Sequence, residues 1–140
     1  MKRAGLIALV LMLTGVAALA APSTYEQPFP KTLINAKYVY VTAYDGDQFD
    51  PTLLPEDRQA IASVQDAIQK WGRYIIVYRP SEADIVLAVQ KRGSEDVLAV
   101  YDAKSSSPIY LWRAMGRGGL DKGEVPLFSK LQNAVEKASK

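Results

Sequence analysis

Asp45, Asp47 and Asp50, with Glu56 at the twelfth position counted from Asp45, have part of the spacing of a calcium loop, in which carboxylates at alternate positions converge on a hard cation. Phe49 and Asp50 stand where that loop needs an oxygen ligand and a glycine, so the stretch reads better as a solvated turn with Asx caps. Lys104 beside Ser105, Ser106 and Ser107 has the residue types of a Ser-Lys dyad. A serine-rich loop ahead of Pro108 accounts for them without chemistry. Gly116-Arg117-Gly118-Gly119 offers backbone amides to an anion, but a phosphate loop opens directly into a helix, and Asp121 and Gly123 follow instead. A connecting loop is the expectation there.

The chain has no histidine and no cysteine. That removes the imidazole base, the Ser-His-Asp triad, the thiol nucleophile and the nitrogen and sulfur metal ligands. An enzyme would have to work with carboxylates such as Asp45, Asp47 and Asp102, without the usual general-base types. The expectation is therefore a non-enzymatic protein with no catalytic residues, metal or cofactor. Asp102 and Arg113 are expected to pair across a hairpin, a contact worth little if exposed.

The first 20 residues set the compartment. Lys2 and Arg3, an apolar run from Ala4 and the ending Ala18-Leu19-Ala20 form a secretory signal peptide, with cleavage expected after Ala20. Pro22 would lie directly behind a cut after Ala21 and so disfavours it. An uncleaved anchor is the competing reading, because the run approaches the lower length limit for a spanning helix. Gly15, the alanine-rich end and Pro22 favour removal. A periplasmic or secreted protein with no membrane span after cleavage is expected, and no lipid anchor, since no cysteine is there to carry one. Loss of Lys2 and Arg3 from the 17 basic residues leaves 15 against 15 acidic ones. A neutral chain lacks the basic excess of a nucleic-acid binder.

Residues 21–35 read as a proline-spaced leader and 36–140 as one α/β domain. Lys37 to Tyr44 alternates β-branched and aromatic residues with period two and predicts a strand. Pro55, Glu56 and Asp57 suit a helix amino terminus, and Gly72 follows the helix as its stop. Ile61, Val64, Ile68 and Trp71 fall on one face of it. Further strands are predicted at Arg73–Tyr78, Asp84–Gln90, Val97–Tyr101 and Ile109–Arg113. Gly116–Gly123 reads as a loop, and a closing helix from Leu127 carries Leu131 and Val135 on its apolar face. The order β-α-β-β-β-β-α implies an α+β fold, an α/β sandwich with a five-stranded mixed sheet and both helices on one face. If the first two strands are parallel, the crossover between them is right-handed.

Alternation along the strands sorts side chains into two sets. One is aliphatic: Val39, Val41, Ile75, Val77, Ile85, Leu87, Val89, Leu98, Val100, Ile109 and Leu111. The other holds Tyr38, Tyr40, Tyr44, Tyr74, Tyr78, Tyr101, Tyr110 and Trp112, with Thr42, Ala88 and Gln90. With helices on the aliphatic side, the aromatic side meets water, a leader folded back through Phe29, a second subunit or a ligand. Tyrosine is common on the wet face of an antiparallel sheet, whereas exposed aromatic patches mark interaction sites. The favoured reading is an interaction module that engages an envelope protein or itself, chiefly through Tyr40, Tyr78, Tyr101 and Trp112. Small-ligand or glycan binding on the same face is the alternative.

Three segments, Ala83-Asp84-Ile85-Val86-Leu87, Val100-Tyr101-Asp102-Ala103 and Leu111-Trp112-Arg113 before the final helix, together resemble an uncharacterised family of bacterial secreted and cell-envelope α/β domains. More distantly they look like envelope-assembly lipoprotein domains and the amino-terminal domain of TolB. The likeness spans Leu33 to Lys137. It implies a fold and an envelope setting and carries over no catalytic residue.

Overall fold

The computed structural model describes residues 28–140. The signal-peptide boundary and the leader up to Gln27 lie outside the described residues. Along the chain run α1 (Lys31–Asn35), β1 (Tyr38–Ala43), α2 (Pro55–Trp71), β2 (Ile75–Val77), a 3-10 turn (Pro80–Glu82), β3 (Ile85–Gln90), β4 (Asp96–Asp102), β5 (Trp112–Gly116) and α3 (Pro126–Ala138). The sheet order is β2-β1-β3-β4-β5, with β1 parallel to both β2 and β3 and the remaining pairs antiparallel. This is the α+β fold that the alternating pattern implies.

Helix α2 begins with Pro55 at its first turn beside Glu56 and Asp57. It ends at Gly72, whose φ of 79° no L side chain adopts comfortably and whose N–H donates to the Ile68 carbonyl. Ile61, Val64 and Ile68 are buried over β1, β2 and β3. Helix α3 lays Leu127, Phe128, Leu131 and Val135 over β4 and β5. Both helices therefore cover the face that carries Val39, Val41, Ile85, Leu87, Val89, Leu98 and Val100. Gly119 lies so near Leu127 that a Cβ there would collide with that side chain.

Residues 31–35, grouped with the leader by their proline-rich surroundings, form a helix that contributes Leu33 to the core. It is fastened by Tyr74 Oη donating to the Leu33 carbonyl at 2.6 Å and by Arg73 donating to that of Ile34 at 2.9 Å. Phe29 packs against the same helix-side core, not over the opposite face.

The last strand departs from expectation. It runs over Trp112–Gly116, three residues beyond Ile109–Arg113, so Gly116 closes a strand instead of opening a loop. Lys104 N–H donates to Asp102 Oδ1, Ser107 N–H to Ser105 Oγ and Ile109 N–H to Ser107 Oγ. These local bonds compete with a ladder and hold the loop open as far as Tyr110. Asp102 is thereby occupied, and Arg113 faces Ala99, so the expected Asp102–Arg113 pair does not form.

Two fully buried carboxylates tie the loops at one end of the sheet. Asp57 accepts from Lys91 N–H at 2.9 Å and from Arg92 at 3.1 Å, while Arg92 also reaches Asp45 at 2.8 Å. Asp96 accepts from the backbone N–H groups of Arg92 and Leu120 and from Lys91 Nζ, at 3.0, 3.0 and 3.1 Å. At the opposite end Asp84 accepts the N–H groups of Lys37 and Tyr38, both at 3.0 Å, just before β3 begins. Those two bonds hold its carboxyl below the ordinary range.

Two predictions follow from these anchors. Asp96→Ala leaves two inward amides unpaired and should cost about 3 kcal/mol of stability, measured by urea denaturation; a loss below about 0.5 kcal/mol would remove Asp96 as an anchor. Asp84 has a lowered folded-state pKa, so its contribution is present above the unfolded value of 3.8 and fades as pH falls through the folded value. The urea midpoint of the natural protein should therefore fall more steeply below pH 4 than that of Asp84→Asn, and parallel curves would exclude this role.

Candidate functional site: the open face of the sheet

Residues paired directly across a ladder point to the same side, so register assigns every strand side chain to a face. The face away from the helices carries three well-defined rows. The first is Val77, Tyr40, Val86 and Tyr101; the second is Thr42, Ala88, Ala99 and Arg113. In the third, Gln90, Val97 and Met115 are joined by Tyr44, whose N–H donates to Val89 O. Tyr38 and Ile75 pair at the near edge.

The same register corrects several assignments. Tyr74 belongs to the helix side, because Ile76 opposes Val39 and Tyr74 shares its parity. It is buried beside Trp71, with ring centroids 5.1 Å apart, and burial pushes its phenol up to about 12. Trp112 opposes Val100 and also packs on the core, a consequence of the displaced fifth strand. Tyr78 lies past the end of β2 and outside the rows. Conversely Ile75 and Val77, placed with the aliphatic set, face the open side; Ile76 takes the inward position. Ile109 is exposed on the loop, and Leu111 is half-buried against the core from outside β5. Tyr38, Tyr40, Tyr44 and Tyr101 are brought together on the open face, and Tyr110 leans in from the loop.

The open face is hollow on its β3–β4–β5 side. A depression of about 290 Å³ is lined by Tyr44, Gln90, Val97, Tyr101, Tyr110 and Arg113. The hydroxyls of Tyr44 and Tyr101 are 3.3 Å apart and hydrogen-bonded. Burial, then the bond to Tyr101, pushes the Tyr44 phenol up to about 12, against the opposing pull of Arg113. The phenol is therefore a neutral donor across the physiological range. Arg113 lies over the Tyr110 ring at 5.7 Å and has no hydrogen bond or ion pair among the described residues. Tyr40, by contrast, is only 8% exposed, and burial followed by the charge of Asp47 raises its phenol.

The carboxylates considered for chemistry are engaged elsewhere. Asp47 caps Phe49 N–H, Asp50 caps Thr52 through both its N–H and its hydroxyl, Asp45 pairs with Arg92, and Asp102 caps Lys104. Arg113 is the site residue that sequence reasoning assigned elsewhere, since its face is known only once Ala99 is known to be its partner.

No protein-family model matches this chain, and no curated protein sequence matches it. Among solved structures, the solution structure of an uncharacterised lipoprotein B from Nitrosomonas europaea is similar at 13% identity and a TM-score of 0.35. The alignment covers 84% of this chain and 89% of that one. No helix of residues 28–140 is long and apolar enough to cross a membrane.

Proposed function

We propose that this chain is a non-enzymatic recognition domain of the periplasm or extracellular space, which binds a protein partner through the open face of its sheet. The address follows from the signal-peptide pattern of Met1 to Ala20. The observation that carries the binding reading is the tyrosine-lined hollow on a sheet face that no element of residues 28–140 covers. Tyr38, Tyr44, Tyr110 and Met115 are each more than a third exposed on or beside that face.

Size favours a protein segment over a single sugar. Five strands about 4.8 Å apart span about 19 Å, and strands of this length run about 17–20 Å. That area accepts an extended peptide of about six residues at ~3.4 Å per residue. It is below the ~800 Å² per partner of a standard stable interface, which suits transient engagement. The hollow alone is near the lower bound for small-ligand pockets and supports the second reading, a small ligand or glycan.

The test is a capture from solubilised envelope extract with two baits, the exported protein and its Tyr44→Ser/Tyr110→Ser variant. Both altered side chains are exposed, so the variant should keep the fold, checked by an unchanged urea midpoint. A protein retained by the first bait and lost by the second is the expected result. The same protein on both baits would overturn the assignment of this face, as would cell-wall fragments, not protein, binding in a tyrosine-dependent way.

A further inference from the structure

We infer that the hollow is a seat for a carboxylate carried by the bound peptide segment, with Arg113 as its cation; the inference rests on the protein-binding reading above and names what the partner must present. Arg113 pairs with Ala99 across the β4–β5 ladder, which puts it on the open face, where it lines the hollow. Of the six residues that line the hollow it is the only charged one, and no carboxylate among them neutralises it. An arginine fork with no side-chain partner among the described residues presents a planar pair of donors matched to the two oxygens of a carboxylate. The Tyr110 ring beneath the guanidinium, 5.7 Å away, restrains the fork on one side and leaves its edge available.

The phenol pair completes the seat. One hydroxyl of Tyr44 and Tyr101 donates to the other, whichever way the bond runs, and the accepting phenol keeps its own proton. That proton can be given to a ligand oxygen. Gln90 supplies an amide on the same side, and Val97 forms the apolar floor. Acidic groups fit these donors; a cationic group would meet Arg113 unscreened. The small volume excludes a large headgroup and suits an Asp, a Glu or a chain terminus next to one ring. The free α-carboxylate of a peptide ending in an aromatic residue combines both parts and is the simplest probe.

The experiment is an amide and side-chain NMR titration of the exported protein with acetyl-phenylalanine and, separately, its uncharged amide. The acid should shift the Arg113 Nε–H signal and the amides of residues 44, 101 and 110 saturably, with at least about tenfold preference over the amide. Raising the salt should weaken it. Arg113→Gln should abolish the preference while its spectrum elsewhere stays unchanged, and Tyr44→Phe should reduce it. Equal binding of acid and amide, or binding that survives Arg113→Gln, would overturn the seat. Tighter binding of glucuronate than of the peptide acid would overturn the peptide as its source. The capture experiment separates the two levels: a partner held by an Arg113→Gln bait but lost from Tyr44→Ser/Tyr110→Ser leaves the face reading standing and removes the carboxylate seat.

Discussion

Strand β1 lies between two parallel neighbours, and most of the architecture follows from that placement. Parallel partners cannot be reached by a tight turn, so each needs a longer connection. Helix α2 supplies the one to β2, and the turn over Pro80–Glu82 with Asp84 leads into β3. The Asp84 carboxylate grips the amides of Lys37 and Tyr38 and so fixes where β1 starts relative to β3. A slip of one residue there would turn Val39 and Val41 outward and the tyrosines in. Asp84, immediately before β3, thus acts as a register pin.

The other end of the sheet is held differently. Asp57 and Asp96 sit within the protein; Asp57 takes its donors from Lys91 and Arg92 of the loop after β3, and Asp96 from that loop and from Leu120. Among the described residues no buried side-chain nitrogen or oxygen lacks a partner. Buried charge is tolerated there because it is fully hydrogen-bonded. This network, together with the clash awaiting any side chain at Gly119, locates the end of β5 and the start of α3. The position of Arg113 follows from the β4–β5 register, in which it pairs with Ala99 and Gly116 pairs with Asp96.

Among residues 28–140, helices on one face and none on the other leave a surface with a defined chemistry. Its hollow is lined by tyrosines with Gln90 and Val97, and the one charge there is the Arg113 guanidinium beside the hydrogen-bonded hydroxyls of Tyr44 and Tyr101. An exposed sheet with only scattered tyrosines would need no further account. The combination of a depression, a guanidinium unpaired among the described residues and a hydrogen-bonded pair of hydroxyls is what points to recognition. The two edge strands contribute unequally: β2 has three residues, whereas β5 supplies Arg113 to the hollow.

Much of the fold was legible in local pattern. Period-two alternation marks β1, β3 and β4 because their side chains meet a packed helix layer on one side and a different surface on the other. Pro55, the acidic first turn and Gly72 mark α2 because they satisfy its ends. The absence of histidine and cysteine and the charged, apolar and alanine-ended pattern of the first 20 residues need no structure at all. Tertiary structure alone decided the rest. Alternation gives the relative faces within one strand, but which face meets the helices depends on hydrogen-bonded partners distant in sequence. That is why Tyr74 and Trp112 turned inward, Ile75 and Val77 turned out, and Arg113 reached the hollow. The fifth strand moved because serine and aspartate side chains bonded their own loop, a local competition that hydrophobic periodicity does not register.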